Sequence, residues 1–153
     1  MKKRKKDFLD KFLDKYIFTP KWIGKHGEML TERELKLVYL MGRKGEILRN
    51  VYIPKRNGTT SEIDMLYITQ KGIFVIESKN YSGVIYGEES DFKWTVVLQN
   101  GVKNKMYNPI KQNNSHIKWL KEYLQMDMPY FSLIIFSERC KLKLNRDTSV
   151  PVI

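Results

Sequence analysis

The sequence predicts an α/β fold with a mixed central β-sheet flanked by helices, and three observations predict it. Apolar residues recur at helical spacing in the first 41 residues and again after residue 108. Between these segments they alternate or run together in short stretches that turn residues separate, as in strands. The length of 153 residues is that of one ordinary domain. The predicted element order is αβββαβ, with a β-hairpin insertion and an extra N-terminal helix.

The segment 1–21 is predicted to be a basic amphipathic helix that precedes the main domain at 22–153. Its apolar residues are spaced by one, three and four, which puts them on one helical face, and Thr19-Pro20 ends the helix. This pattern fits a helix that packs on the domain or on a partner. It also fits an arm that binds DNA or a membrane surface.

The core begins with a helix predicted from residue 27 to about residue 41. Three strands are predicted at 47–53, 62–69 and 73–76. Asn57-Gly58 and a tight turn at residues 70–72 join them, so neighbouring strands are expected to be antiparallel. The third strand is apolar on both faces, which predicts a position inside the sheet.

A smaller antiparallel insertion follows, with short strands predicted at 83–87, 94–98 and 102–106. Asn108-Pro109 predicts the start of a helix that ends near Leu124, because Asn caps helices well and Pro fits their first position.

The strand predicted at 131–136 completes a strand–helix–strand crossover, so it is expected to be central and parallel to the third strand. The tail at 150–153 is predicted to be a last edge strand.

Composition limits the function classes. The chain has 28 Lys+Arg against 17 Asp+Glu, a formal charge of +11, which predicts a polyanionic partner such as nucleic acid or an anionic membrane. One cysteine, Cys140, excludes an intramolecular disulfide framework and a multi-cysteine zinc site. No apolar run reaches the length of a membrane span, and the N-terminus lacks the features of a secretory signal. A cytoplasmic location is therefore expected.

The positive charge divides along the chain. Residues 2–25 hold nine Lys/Arg and three Asp, a net charge of +6, and the remainder holds 19 cations against 14 acids, a net charge of +5. The N-terminal arm therefore accounts for over half of the excess, and the main domain is only moderately basic.

Two carboxylates and a lysine stand out by their context. Asp64 lies inside the second predicted strand, and Glu77 ends the very apolar third strand. Antiparallel pairing across the tight turn brings these two acids close together, and Lys79 leaves the same strand face as Glu77. Oxygen ligands of this kind suit Mg²⁺ or Mn²⁺ and not zinc. A surface salt bridge at a strand end is the plain alternative, and spacing alone does not exclude it.

Four separated motifs resemble the NERD (nuclease-related) domain of the PD-(D/E)XK nuclease superfamily. They are Gly-Lys-His-Gly-Glu at 24–28, Asn-Gly-Thr-Thr-Ser-Glu-Ile-Asp at 57–64, Gly-Ile-Phe-Val-Ile-Glu-Ser-Lys-Asn-Tyr-Ser-Gly at 72–83 and Asn-Pro-Ile-Lys-Gln at 108–112. The resemblance runs from about residue 22 to residue 136. It implies a restriction-endonuclease-like core and Mg²⁺-dependent hydrolysis of phosphodiester bonds.

The resemblance also implies roles for individual residues. Glu28, Asp64 and Glu77 resemble the family's metal ligands, Lys79 its catalytic lysine, and Gln112 the glutamine that hydrogen-bonds near the site. Without the resemblance, the neighbouring glutamates rival Glu28, and a glutamate near a helix start is equally explained by the helix dipole.

The helix after residue 108 carries a second stripe beside its apolar face. Gln112, His116, Trp119 and Tyr123 recur at spacings of four, three and four, and such a stripe would suit a substrate groove. A structural hydrogen-bonding role for His116 is favoured over a role as catalytic base, and Gln112 alone would equally fit a solvated face.

Three functions remain in competition. The favoured one is a metal-dependent nuclease, with DNA preferred as substrate. The alternative is a nucleic-acid-binding module with a weak or inactive nuclease site. A membrane-associated or partner-docking protein that uses the N-terminal helix is the least favoured. The sequence does not specify the oligomeric state.

Overall fold

Two four-stranded sheets and one helix make up residues 45–145 and 147–153, the part of the chain that the computed structural model describes. The predicted helices at 2–18 and 27–41, and Glu28 with them, lie outside the described residues. In chain order the elements are β1 (Gly45–Pro54), β2 (Thr60–Thr69), β3 (Gly72–Lys79), β4 (Gly83–Gly87), β5 (Lys93–Val97), β6 (Lys103–Tyr107), α1 (Pro109–Leu124), β7 (Tyr130–Phe136) and β8 (Cys140–Leu144).

The first sheet has the strand order β1-β2-β3-β7 and confirms the predicted mixed sheet. β2 pairs antiparallel with β1 and β3, whereas β7 pairs parallel with β3, as the crossover through α1 predicts. The prediction that β3 lies inside the sheet is also confirmed. Its residues Ile73 to Glu77 are buried, as expected for a strand covered on both faces.

The tail runs along the outer edge of β7. Ile134 forms a parallel bridge with Val152, and Phe136 donates its backbone N–H to the carbonyl of Ile153 at 2.7 Å. The predicted edge strand at 150–153 is therefore present as a single bridge, and it satisfies backbone groups that β7 would otherwise expose.

The second sheet corrects the predicted hairpin insertion. β4, β5 and β6 form an antiparallel meander as predicted, but β8 pairs parallel with β4 and completes a separate four-stranded sheet, β6-β5-β4-β8. The sequence analysis missed β8. Its signal is the strict alternation of apolar and charged residues in Cys-Lys-Leu-Lys-Leu at Cys140–Leu144.

Helix α1 begins as predicted. Asn108 is its N-cap, and its side-chain oxygen accepts the backbone N–H of Ile110 at 2.9 Å. The same side chain donates to the carbonyls of Glu88, Glu89 and Asp91. The cap therefore also fastens the β4–β5 turn to the start of α1.

Two apolar clusters surround α1. Leu120 packs with Leu66, Ile73 and Val75 of the first sheet, and Ile110 packs with Trp94 and other residues of the second sheet. Only this one helix is described, so the helical layer predicted for the other side of the first sheet falls outside the described residues. Among residues 45–145 and 147–153, no helix is long and apolar enough to cross a membrane.

An irregularity interrupts the pairing of β1 with β2 next to Asp64. The paired residues pass from Arg49 and Met65 directly to Val51 and Ile63. Asn50, between them, has a positive φ of 49°, which Asn tolerates better than most residues. The register is the same on both sides, so no residue is inserted and the pair left out is Asn50 opposite Asp64.

The side chains of β2 change from one face of the sheet to the other at this interruption of the pairing. Ile63 and Leu66 are three residues apart yet share one core cluster, whereas regular alternation would place them on opposite faces. The break therefore turns the strand at Asp64.

Candidate active site

Glu77 lies near the end of β3, and its side chain is 2% exposed. Lys79 follows two positions later on the same strand face, and its Nζ lies 2.6 Å from Oε1 of Glu77. The lysine side chain is 17% exposed, so the pair is closed on the Glu77 side and open to solvent on the Lys79 side. The structure therefore brings together the acid and the lysine singled out in the sequence.

Gln112 reaches the same pair from the first turn of α1. Its Oε1 accepts a hydrogen bond from Nζ of Lys79 at 2.9 Å. The Lys79 ammonium is thus held between a carboxylate on its own strand and an amide on the helix. Charge-assisted hydrogen bonds of this kind are short and orient the donor well.

Asp64 lies on β2, where the pairing of β2 with β3 ends at Met65 and Ile76. Continuing that register by one pair places Asp64 opposite Glu77. The Oδ2 atom of Asp64 accepts the backbone N–H of Ser78 at 2.9 Å, which fixes the carboxylate against the end of β3.

His116 lies one turn beyond Gln112 on α1 and contacts the opposite oxygen of Glu77. Its Nε2 lies 3.3 Å from Oε2 of Glu77, and its Nδ1 shares a hydrogen bond of 2.7 Å with Oγ of Ser61 on β2. Both His116 and Ser61 are buried. The structural hydrogen-bonding role favoured for His116 is present, but the ring is also a member of the site.

Sequence reasoning did not select Ser61 as a site residue. The available signals are its place in the Thr-Thr-Ser-Glu-Ile-Asp motif and the spacing of four between Gln112 and His116, which puts both on one face of α1. Since 55 residues separate Ser61 from His116, only the tertiary fold reveals their contact.

The pKa values of the two carboxyls move in opposite directions. Burial raises the pKa of Asp64, the Ser78 N–H partly offsets this, and the nearby charge of Glu77 raises the pKa further. Burial would also raise the pKa of Glu77. However, hydrogen bonding and charge from His116 and Lys79 outweigh it and hold the pKa below its usual value. The site therefore favours an ionised Glu77 beside an Asp64 that is costly to ionise.

Asn113 anchors α1 over the site. Its side chain is fully buried, and its Nδ2 donates to the carbonyl of Val75 at 2.7 Å and to Oγ of Ser132 at 2.8 Å. Both partners lie on the paired strands β3 and β7. This buried hydrogen bonding fixes the helix turn that carries Gln112.

The end of β3 is fastened to the end of β7. The backbone N–H of Ser137 donates to the carbonyl of Lys79 at 2.9 Å, and the Arg139 guanidinium donates to Oδ1 of Asn80 at 2.6 Å. These bonds hold the residues next to Lys79 in place, which limits the conformations open to the Glu77–Lys79 pair.

Comparison with known proteins identifies the family. The model of the nuclease-related domain, NERD, matches residues 23–137, which is most of the chain. The chain belongs to the NERD family. This family is part of the PD-(D/E)XK-like nuclease superfamily, so the family resemblance seen in the motifs is confirmed.

The NERD domain of this chain is similar to an uncharacterised protein of Bacillus anthracis. The two are 38% identical over 124 residues, which cover 81% of this chain and 57% of that protein. The chain therefore spans little more than half the length of this relative. No solved structure matches the chain significantly.

The donor set of this NERD domain fits a hard divalent cation. Asp64 and Glu77 supply carboxylate oxygens, and Oε2 of Glu77 is buried with Nε2 of His116 3.3 Å away. Mg²⁺ in proteins is commonly held by one or two carboxylates together with water and substrate oxygens. Within residues 45–145 and 147–153, no group of three or more His, Cys, Asp or Glu side chains is arranged to hold a metal. The third predicted ligand, Glu28, lies outside them.

Proposed function

We propose that this NERD domain is a metal-dependent nuclease that hydrolyses phosphodiester bonds, with DNA as the favoured substrate and Mg²⁺ or Mn²⁺ as the cofactor. The observation that carries the proposal is the placement of the Lys79 ammonium between Glu77 and Gln112, 2.6 Å and 2.9 Å away. Membership of the nuclease-related family supports the same reaction class.

Asp64 and Glu77 are the described residues that would hold the cation, and Glu28 is the predicted third ligand. A divalent ion bound there would polarise the scissile phosphate and lower the pKa of a bound water. Lys79 compensates the charge of buried Glu77, but the half-buried Asp64 beside it is costly to ionise without a further cation, which favours a cation site over a surface salt bridge.

Lys79 would stabilise the negative charge that develops on the phosphate during attack. Its ammonium has three donors, of which one faces Glu77 and one faces Gln112. A preorganised cation in a partly dry site stabilises such charge far more than the same cation does in water.

Gln112 and His116 would hold the Lys79 ammonium and the Glu77 carboxylate in position. Gln112 holds the Lys79 ammonium in the direction of the site, and His116, itself held by Ser61, keeps the Glu77 carboxylate from rotating. Second-layer contacts of this kind commonly change metal affinity or activity by about 10–100-fold.

The proposal is tested by incubating the purified chain with plasmid DNA, with labelled single-stranded DNA and with labelled RNA, in Mg²⁺, in Mn²⁺ and in EDTA. Cleavage in either metal that disappears in EDTA, and in Asp64→Ala and Lys79→Ala, is expected. Lys71→Ala, which changes an exposed lysine in the β2–β3 turn, is the matched control and should cut normally. Equal cleavage by wild type and both site variants would contradict the proposal.

The same samples test the alternative of a binding module with an inactive site. The observation that favours it is that both oxygens of Glu77 face cationic or histidine partners, Lys79 and His116. Nucleic-acid binding that survives Asp64→Ala, combined with no cleavage in any metal, would replace the nuclease by this alternative.

A further inference from the structure

The outer side of the second sheet carries a dense group of lysines. Alternation along the strands puts Ile85, Trp94, Val96 and Met106 in the core, so the residues between them face solvent. We name this outer side the lysine face and define it by six exposed residues: Lys93, Lys103, Lys105, Lys141, Lys143 and Tyr86.

The strand register arranges part of this face into a row across the sheet. Lys105 lies opposite Thr95, Thr95 lies opposite Tyr86, and Tyr86 lies opposite Lys143. Neighbouring strands are about 4.8 Å apart, so the two lysines stand about 14 Å apart with the tyrosine ring between them.

A second row lies two residues along the strands. Lys103 lies opposite Val97, which faces Val84, which faces Lys141. Both rows therefore have the same plan, with lysines on the outer strands β6 and β8 and uncharged side chains on the inner strands β4 and β5. The result is an uncharged strip with a lysine at each end of both rows.

No carboxylate lies on this face within the four described strands. The lysine contacts seen there are to neutral groups: Nζ of Lys105 donates to Oγ1 of Thr95 at 2.7 Å, and Nζ of Lys143 lies 5.6 Å from the centre of the Tyr86 ring. Five like charges on one small surface repel one another, and this cost favours a polyanionic partner.

Two acids of the β4–β5 turn, Glu88 and Glu89, are hydrogen-bonded to the C-terminal segment. Oε1 of Glu88 accepts from Nδ2 of Asn145 at 3.0 Å, and Oε2 of Glu89 accepts the backbone N–H of Ser149 at 2.7 Å. These carboxylates are bound to neutral donors, and within residues 45–145 and 147–153 no acid forms an ion pair with a lysine of the lysine face.

The aromatic content of the face favours unpaired bases over a membrane surface. Tyr86 is 38% exposed and stands in the middle of a lysine row, where a ring can stack on a base while the flanking lysines contact phosphates. Beside it, Val84 and Val97 are half-buried on the inner strands.

The chain connects this sheet directly to the site. β3, which carries Glu77 and Lys79, continues into β4 after three residues, and β6 leads through Asn108 into α1, which carries Gln112. The inner side of the sheet packs against Ile110 of α1 and Phe136 of β7. A strand bound on the lysine face is therefore held by the same rigid unit that carries the candidate active site.

We propose that the lysine face binds a single-stranded stretch of nucleic acid, with the lysines of β6 and β8 on its phosphates and Tyr86 stacked on a base. This inference rests on the proposed nuclease function for the statement that the bound strand is substrate. Binding itself does not require cleavage, so the two proposals fail separately.

The test is fluorescence anisotropy of labelled oligo-dT and oligo-U with the full chain in EDTA, across a series of salt concentrations. The lysine variant is Lys105→Gln with Lys143→Gln, the stacking variant is Tyr86→Ala, and the matched control is Lys71→Gln with Lys118→Gln. The control removes the same charge from exposed positions outside the lysine face. Thermal unfolding checks that all variants remain folded.

The lysine variant is expected to bind about twenty-fold more weakly at 0.1 M salt, with a salt slope smaller by about 1.4, as loss of two phosphate contacts to a single strand implies. Tyr86→Ala is expected to lose between about 5-fold and 150-fold in affinity with the slope unchanged. The control should bind as the wild type does. Preference between oligo-dT and oligo-U then separates DNA from RNA as the source of the strand.

Three results would overturn the inference. One is wild-type affinity in the lysine variant. Another is an equal loss of affinity in the Lys71/Lys118 control, which would show that net charge, and not the lysine face, determines binding. The third is co-sedimentation with anionic phosphatidylserine vesicles that the lysine variant loses while its nucleic-acid affinity is unchanged, which would assign the face to a membrane.

Discussion

The Lys79 ammonium lies 2.6 Å from the Glu77 carboxylate, and that carboxylate is 2% exposed. A carboxylate so deeply buried is stable in its ionised form only because the lysine on one side and His116 on the other stabilise its charge. The pair therefore links catalysis with folding stability. The groups proposed to cut the phosphodiester bond are also the groups that stabilise the buried charge of Glu77.

Removing the lysine should affect both properties. Lys79→Ala is expected to lower the cleavage rate about 10²–10³-fold, the usual effect of losing one preorganised stabiliser of developing charge. It should also lower the free energy of unfolding by about 1–3 kcal/mol, because Glu77 loses a partner while buried. Urea unfolding and single-turnover cleavage measure the two effects.

Gln112→Ala is the matched comparison for Lys79. It removes the hydrogen bond to the ammonium but leaves the Glu77–Lys79 contact, so it should reduce cleavage less and cost about 0.5–1.5 kcal/mol. In the double variant the two losses should not add, because they concern one hydrogen-bonded group. Full additivity would mean that Gln112 does not act through Lys79.

His116 is predicted to position Glu77. His116→Ala should reduce cleavage about 10–100-fold, since the Glu77 carboxylate then loses its contact at Oε2. His116→Gln, which can still hydrogen-bond, should recover part of that activity. Metal affinity measured by calorimetry with Mn²⁺ should weaken in the alanine variant, a change that loss of packing alone would not cause.

Ser61→Ala tests whether His116 positions Glu77, because Ser61 contacts His116 and acts on Glu77 only through it. The Ser61 hydroxyl contacts only the Nδ1 side of the ring, so its loss should affect cleavage in the direction of His116→Ala but by less. A Ser61→Ala variant that cuts normally and binds Mn²⁺ normally, beside an impaired His116→Ala, would show that the ring needs no support from β2.

The strand part of this site was predictable because it depends on local periodicity. Glu77 and Lys79 are two residues apart on one strand, and the tight turn at residues 70–72 fixes the register that brings Asp64 near them. Gln112 entered the prediction through the family motif and through the stripe that it forms with His116 on the helix, and the structure places it against Lys79.

The remaining features depend on contacts between distant segments. Ser61 and His116 are 55 residues apart, and the parallel pairing of β8 with β4 depends on packing that no short window of sequence shows. Asn50 gives a weak local signal, since a positive φ at that residue is an outcome of the break in pairing beside Asp64. Local patterns thus predict strands and their faces, while long-range pairing decides which polar groups meet.

The pH dependence of stability should show the lowered pKa of Glu77. Its folded-state pKa lies below the ordinary value of 4.5, so its ionised form stabilises the fold above that pH. The contribution is lost as the pH falls through the folded-state pKa. Urea unfolding from neutral pH to about pH 3 should show a steeper loss in wild type than in Glu77→Gln. Equal slopes would contradict the prediction.

In the metal-free protein, Asp64 should affect the pH dependence of folding stability in the direction opposite to Glu77. Its folded-state pKa is raised above the ordinary value of 3.8, so its contribution is fully present below that pH and is lost as the pH rises through the folded-state pKa. Asp64→Asn removes the cost of ionisation and should stabilise the fold at neutral pH, by an amount that solvent screening of the half-exposed carboxyl reduces, while abolishing cleavage. Asp127→Asn, at an exposed aspartate after α1, is the control and should do neither.

Asn108 is predicted to fasten the β4–β5 turn to the start of α1. It is fully buried, caps α1 through Ile110 and donates to the carbonyls of the β4–β5 turn. Asn108→Ala should therefore cost about 2–4 kcal/mol, since a lost cap costs about 0.5–2 kcal/mol and unsatisfied buried groups cost about 1–3 kcal/mol.

The comparison of Asn108→Ala with Asn108→Ser separates the two contributions, because serine keeps a capping oxygen and lacks the amide donors. Urea unfolding followed by tryptophan fluorescence should place the serine variant between wild type and alanine. If serine restores full stability, the bonds to Glu89 and Asp91 contribute nothing and the cap accounts for the whole effect. If serine is as damaging as alanine, the fastening of the β4–β5 turn to α1 is the larger of the two contributions.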